Sequence, residues 1–272
     1  MARADGFASL LDLGFLDLLA RRDTWLNRLD PRVKVVVTLA FVLTVVSFDR
    51  YAVASLLPLC LFPALLLVAG ELPVGYLFRK ILVLLPFALA IALCNPFFDR
   101  AVQLRLGPLA VSGGWLSSVS LLIRFALTVS AGLVLVATTG FIPICAALER
   151  LGCPRVFAVQ LLFLYRYLFL LGEEGERLVR ARDLRSFGRR GRGARVFGPL
   201  AGSLLIRSWE RAQRVHLAML CRGFRGDFPV RCRFGVGRAE LCYLCGWLAF
   251  FVAGRLVDFP LLIGGAILGG VR

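Results

Sequence analysis

The chain has 272 residues, of which 59% are hydrophobic, and a mean hydropathy of +0.79. Soluble domains are about 45–50% apolar, so this composition excludes an ordinary soluble globular protein and points to one integral-membrane unit. The net charge of +16 comes almost wholly from Arg, because Lys occurs only at 34 and 80. Arg held in cytoplasmic loops by the positive-inside bias accounts for it without nucleic acid as a partner.

Eight Cys lie mostly inside apolar runs. Cys242 and Cys245 have CxxC spacing, but no second pair accompanies them and His216 is the only histidine. Helix packing explains them better than a metal or redox site, which needs converging ligands. No metal site, cofactor or catalytic residue is expected. An embedded enzyme would need clustered His, Asp, Glu or Ser facing a cavity, and an ATP-driven pump acting alone would need a P-loop. The sequence has neither.

In chain order, residues 1–30 read as a cytoplasmic, interfacial N-terminal segment. Its apolar positions are interrupted by Asp12 and Asp17, which disfavours a signal peptide. Asp30-Pro31 has the form of an N-cap followed by a first-turn proline. Arg28, Arg32 and Lys34 beside it place the N-terminus in the cytoplasm. Membrane helices are predicted over residues 31–140. The first covers about Val33–Phe48, and the second Tyr51–Gly70 with Pro58 and Pro63 as kinks. The third covers Ile81–Phe98 after a loop from Glu71 to Lys80. The fourth falls within Trp115–Thr139, where Arg124 must face protein or water, with a structural pairing favoured over a transport role. Between the third and fourth, Val102–Leu106 alternates as a short hairpin strand would.

Residues 141–238 read as a cytoplasmic region. A brief amphipathic helix is predicted over Phe141–Leu151, stopped at Gly152 and Pro154. A long helix follows from Arg155 to Arg185, with Glu173–Arg177 and Glu176–Arg180 spaced four apart in the favourable order. A second long helix is predicted from Val196 to Arg222. Its stripe of Phe197, Ala201, Leu204, Ser208, Ala212, Val215 and Met219 is small enough for another helix to approach. Gly223 is the expected left-handed stop. From Glu173 to Glu240 there are sixteen Arg against seven acids. The bulk charge is ordinary for an exposed face. The ordering is less so, since both long helices end in Arg followed by a small residue, Arg185-Ser186 and Arg222-Gly223, which suggests paired contacts with two copies of a partner. Residues 239–272 hold a span over Leu241–Gly254 and a short candidate over Phe259–Val271. The expected fold is all-α and polytopic, with about six membrane segments and a pair of long cytoplasmic helices.

On these residues the chain resembles the transmembrane T components of energy-coupling factor (ECF) transporters, and among them the CbiQ type associated with cobalt uptake. The run from Leu19 through Asp30-Pro31-Arg32 to Lys34 is similar to the start of such proteins. Ala218-Met-Leu-Cys-Arg-Gly-Phe224 is similar to the second of their two Ala-Arg-Gly-type coupling motifs. Leu184-Arg185-Ser186 is a weaker counterpart of the first, with Ala181-Arg182-Asp183 as an alternative register. The resemblance implies a non-catalytic subunit that binds two cytosolic ABC ATPases through Leu184, Arg185, Ser186, Cys221, Arg222 and Gly223. It also implies a substrate-binding membrane S component as partner, a multi-pass location in the cell membrane, and Co2+ as the transported ion, with nickel, biotin or another vitamin as the alternative substrate. Leu184 and Cys221 stand where the motif has Ala, which alters how closely a partner can approach.

Overall fold

A computed structural model describes residues 14, 17, 19–20, 24–49, 53–98, 102–106, 109–185, 194–226, 235 and 237–256. The chain divides into two compact units, one of Leu16–Gly140 with Arg233–Arg272 and one of Met1–Phe15 with Phe141–Cys232.

The first unit starts with α1 (Trp25–Arg28) and α2 (Pro31–Ser47). Asp30 caps α2, its Oδ1 accepting the Arg32 N–H at 2.9 Å with Pro31 at the first helical position, as the sequence predicts. The second expected span is not one helix. It breaks into α3 (Val53–Leu56), a 3-10 turn (Pro58–Cys60) and α4 (Leu61–Ala69). Pro58 has no N–H to donate and its ring crowds the preceding turn, so the helix tightens there, whereas Pro63 falls in the first turn of α4, where no donor is needed. The following loop is shorter than expected. α5 (Val74–Phe98) starts directly after Pro73 and absorbs Val74–Lys80, because no breaker interrupts Tyr-Leu-Phe-Arg-Lys and long cationic side chains can snorkel.

The hairpin forms, with β1 (Val102–Leu106) antiparallel to β2 (Leu109–Ser112), and runs into α6 (Gly113–Thr139). α5 and α6 approach through small residues. Ala88, Ala92, Gly114 and Ser118 are buried, and Ser118 Oγ lies 2.7 Å from both the Ala92 and Gly114 carbonyls. This is how helices associate where lipid removes the hydrophobic drive. Arg124 on α6 donates to the Asp49 carbonyl just beyond α2, the structural pairing expected of a charge in a membrane helix. α10 (Arg238–Leu256) closes the unit. Phe251 on α10 and Phe62 on α4 enclose the fully buried Phe41 of α2, with ring centroids 5.5 and 4.5 Å from it. Leu19, Leu26 and Leu29 join this core.

The second unit contains α7 (Phe141–Arg150), α8 (Arg155–Arg185) and α9 (Ala194–Cys221). α7 stops at Gly152 as the sequence predicts, and Phe141 stacks on Tyr165 of α8 at 4.6 Å.

Among the described residues four helices are long and apolar enough to cross a membrane: Val74–Asn95, Gly113–Thr139, Arg155–Arg185 and Arg238–Leu256. Pro58–Ala69 is apolar but shorter. The 17 residues of α2 reach about 26 Å against a hydrocarbon core of about 30 Å. Of the six segments expected, Phe259–Val271 lies outside the described residues.

Candidate functional site

α8 and α9 carry the candidate residues. α8 spans 31 residues, about 46 Å of helix. Its last residue is Arg185, exposed, beside Leu184 at 75% exposure. Ser186 lies outside the described residues. Arg182 is half-buried and has a partner within the structure, so of the two registers Arg185 presents the guanidinium to solvent.

The second triplet is defined atom by atom. Cys221 closes α9 and Arg222 follows in the turn, both exposed. Gly223 has φ +75°, its N–H donates to the Leu220 carbonyl at 2.9 Å, and the Phe224 N–H donates to Met219 at 3.0 Å. This pair of bonds is a Schellman cap, and its left-handed position is costly for any residue with a Cβ. Gly223 therefore fixes where the helix stops and holds Arg222 at its end.

The ion pair that ties α8 to α9 lies away from both triplets. Arg207 donates to Glu174 Oε1 at 2.7 Å, with the glutamate side chain 19% exposed and the arginine 58%. Along the helices this brace lies about 16 Å before Arg185 and about 21 Å before the end of α9, so the triplets are not gathered into one cluster. Four residues of the predicted stripe on α9, Ser208, Ala212, Val215 and Met219, line a groove of 450 Å³ shared with Gln160 and Tyr167 of α8. The predicted Glu173–Arg177 pair forms loosely on an exposed face at 3.9 Å, and Glu210–Arg214 on α9 does the same at 3.8 Å.

α9 also carries open apolar residues. Leu205 and Trp209 at the groove, and Ile206, Leu217 and Leu220 beyond it, are each at least half exposed. Such a helix seeks a bilayer interface or an apolar partner. No group of His, Cys, Asp and Glu among the described residues could hold a metal ion. The site can bind a partner through exposed guanidinium groups.

A family model described as "Cobalt transport protein", CbiQ, matches residues 22–231. The chain belongs to the CbiQ family. This CbiQ-family chain is 25% identical over 264 residues to the energy-coupling factor transporter transmembrane protein EcfT of Listeria innocua, covering 92% of this chain and 93% of that one. It is 30% identical over 220 residues to the EcfT of Heliobacterium modesticaldum, covering 75% and 81%. A shorter match, 32% identical over 91 residues and a third of each chain, is to the nickel permease LarQ of Lactiplantibacillus plantarum. The CbiQ-family chain is thus a multi-pass transmembrane component of ECF-type transporters, a non-catalytic membrane subunit.

The Glu174–Arg207 brace was not legible in the sequence. Its partners are 33 positions apart on different helices, and a charge pair at that spacing leaves no local signature, unlike an i,i+4 pair.

Proposed function

We propose that this chain couples two cytosolic ABC ATPases to a substrate-binding membrane S component, with Co2+ as the transported ion. In this reading the N-terminus and the arginine-bearing ends of α8 and α9 face the cytoplasm, and residues 31–140, the apolar first half of α8 and residues 239–272 lie in the membrane. Arg185 docks on one ATPase and Arg222 on the other. The observation that carries the reading is the pair of exposed arginines at the C-terminal ends of α8 and α9, the second set in place by the Gly223 cap. A guanidinium fork forms charge-assisted bonds to carboxylates or to helix-end carbonyls, and a lysine at the same place would not reproduce its planar geometry. When the ATPases close on ATP, the two helix ends are displaced and the brace carries the displacement along both helices. The open apolar residues of α9 are suited to covering by the S component.

Arg185→Ala and Arg222→Ala are each expected to weaken ATPase co-purification, and the double variant to abolish uptake. Recovery of both ATPase copies with the double variant would sink the assignment. Nickel as the transported ion is the second reading, favoured by the match to LarQ; uptake of Co2+ and Ni2+ by the same reconstituted complex separates the two.

A further inference from the structure

The chain passes between its two units three times, after Phe15, after Gly140 and after Cys232. Within the membrane unit, each passage is flanked by a backbone group held by the stretch from Asn27 to Lys34. Asn27 Nδ2 donates to the Leu19 and Ala20 carbonyls at 3.4 and 3.3 Å. Lys34 Nζ donates to the Thr138 carbonyl at 3.0 Å. Asp30 Oδ2 accepts the Gly235 N–H at 3.2 Å. Leu19, Thr138 and Gly235 stand four, two and three residues from Phe15, Gly140 and Cys232.

Asp30 and Lys34 occupy the same face at the start of α2 and are only 2% and 3% exposed. Both carboxylate oxygens of Asp30 are engaged, one by the Arg32 N–H and one by Gly235. The ammonium of Lys34 meets the last turn of α6, where carbonyls lack helical partners and the helix dipole favours a cation. Buried charges of this kind seldom add stability over well-packed apolar residues. What they supply is direction, because each bond fixes one backbone atom. Gly140, immediately beyond the Lys34 contact, has φ +79°, a backbone state that only glycine adopts readily.

We propose that Asn27, Asp30 and Lys34 form an anchor that passes displacement of the coupling unit into the membrane helices. They are positioning residues for transport, touching neither ATPase nor transported ion. With the anchor intact, a movement beyond Gly140 or before Gly235 reaches α6 and α10 undiminished. With it broken, the movement is lost before it reaches those helices and ATP is hydrolysed without transport. This inference rests on the coupling role proposed above.

The test uses the intact complex of this chain, its ATPases and its S component in liposomes, with Co2+ and separately Ni2+ as the ion offered. Lys34→Met and Asp30→Asn are expected to retain both ATPases and to keep hydrolysing ATP. Ions moved per ATP should fall by about tenfold, and Lys34→Arg should recover most of that loss. Unchanged uptake per ATP in Lys34→Met overturns the proposal. So does loss of the ATPases from that variant, or failure of Lys34→Arg to rescue, since either marks a merely structural role. If the variants fail to accumulate, insertion of two glycines between Gly140 and Phe141 decides. It leaves the anchor in place but slackens the connection, so the same uncoupling is expected, and normal uptake per ATP overturns the idea. Failure of the coupling reading itself shows separately, as ATPases retained by the Arg185→Ala, Arg222→Ala double variant.

Discussion

Breaking the Glu174–Arg207 brace tests whether α8 and α9 behave as one lever. The gross attraction between unit charges 2.7 Å apart is large, about 6 kcal/mol at an effective dielectric near 20. Most of it is cancelled by desolvating Glu174. The guanidinium is more than half exposed, so solvent screens the pair further. A short charge-assisted bond of this kind, half in solvent, should retain a coupling energy of about 1 kcal/mol. The measurement is a double-mutant cycle of Glu174→Gln, Arg207→Gln and both, by detergent-denaturant titration of the purified chain. The double variant should be less destabilised than the sum of the singles by about that amount. Glu174→Gln alone should also reduce uptake per ATP, because helices free to slide lose displacement at the crossing. A coupling energy indistinguishable from zero, with uptake unaltered, would refute the lever.

Further outcomes follow from local geometry. Gly223→Ala forces a Cβ into a left-handed position with open space around it, so the penalty is backbone strain alone, about 1 kcal/mol, read as a lowered denaturation midpoint of the purified chain. Glu71, at φ 49°, is a non-glycine residue in that same backbone region; Glu71→Gly should raise the denaturation midpoint by a stabilisation of about 1 kcal/mol. Cys221 is exposed beside Arg222, whereas Cys145 is buried and burial pushes its thiol up to about 11. At pH 8 a polar maleimide should therefore label Cys221 and spare Cys145, and bound ATPases should protect Cys221. Equal labelling of Cys221 with and without ATPases would count against the docking site.

Local chemistry made much of this chain readable. Asp30-Pro31, the Gly152 and Gly223 stops, the bounds of α8 and the hairpin strand at Val102–Leu106 each depend on a few neighbouring residues, so the sequence alone locates them. The apolar excess and the Arg-rich ordering likewise establish a membrane protein with two long helices ending in arginine, and the motif around Arg222 points to its family. Where the reading failed, the deciding forces were either weak or distant. Pro58 could kink a membrane helix or end it, and the packing around Phe62 settles which. Val74–Lys80 could be loop or helix, because two cations do not break a helix whose ends can snorkel.

Only the folded chain shows what the charges do. Arg124 reads as a charge in a membrane segment until the Asp49 carbonyl is found beside it. Glu174 and Arg207 look like two charges among many until they meet across two helices. Lys34 reads as one more charge flanking a membrane helix until its ammonium is found buried against Thr138, 104 residues away. Helix type, caps and apolar faces are set by interactions within a turn or two, and the sequence determined them by itself. Which polar group meets which across such distances is fixed when the helices pack, and tertiary structure alone decided it.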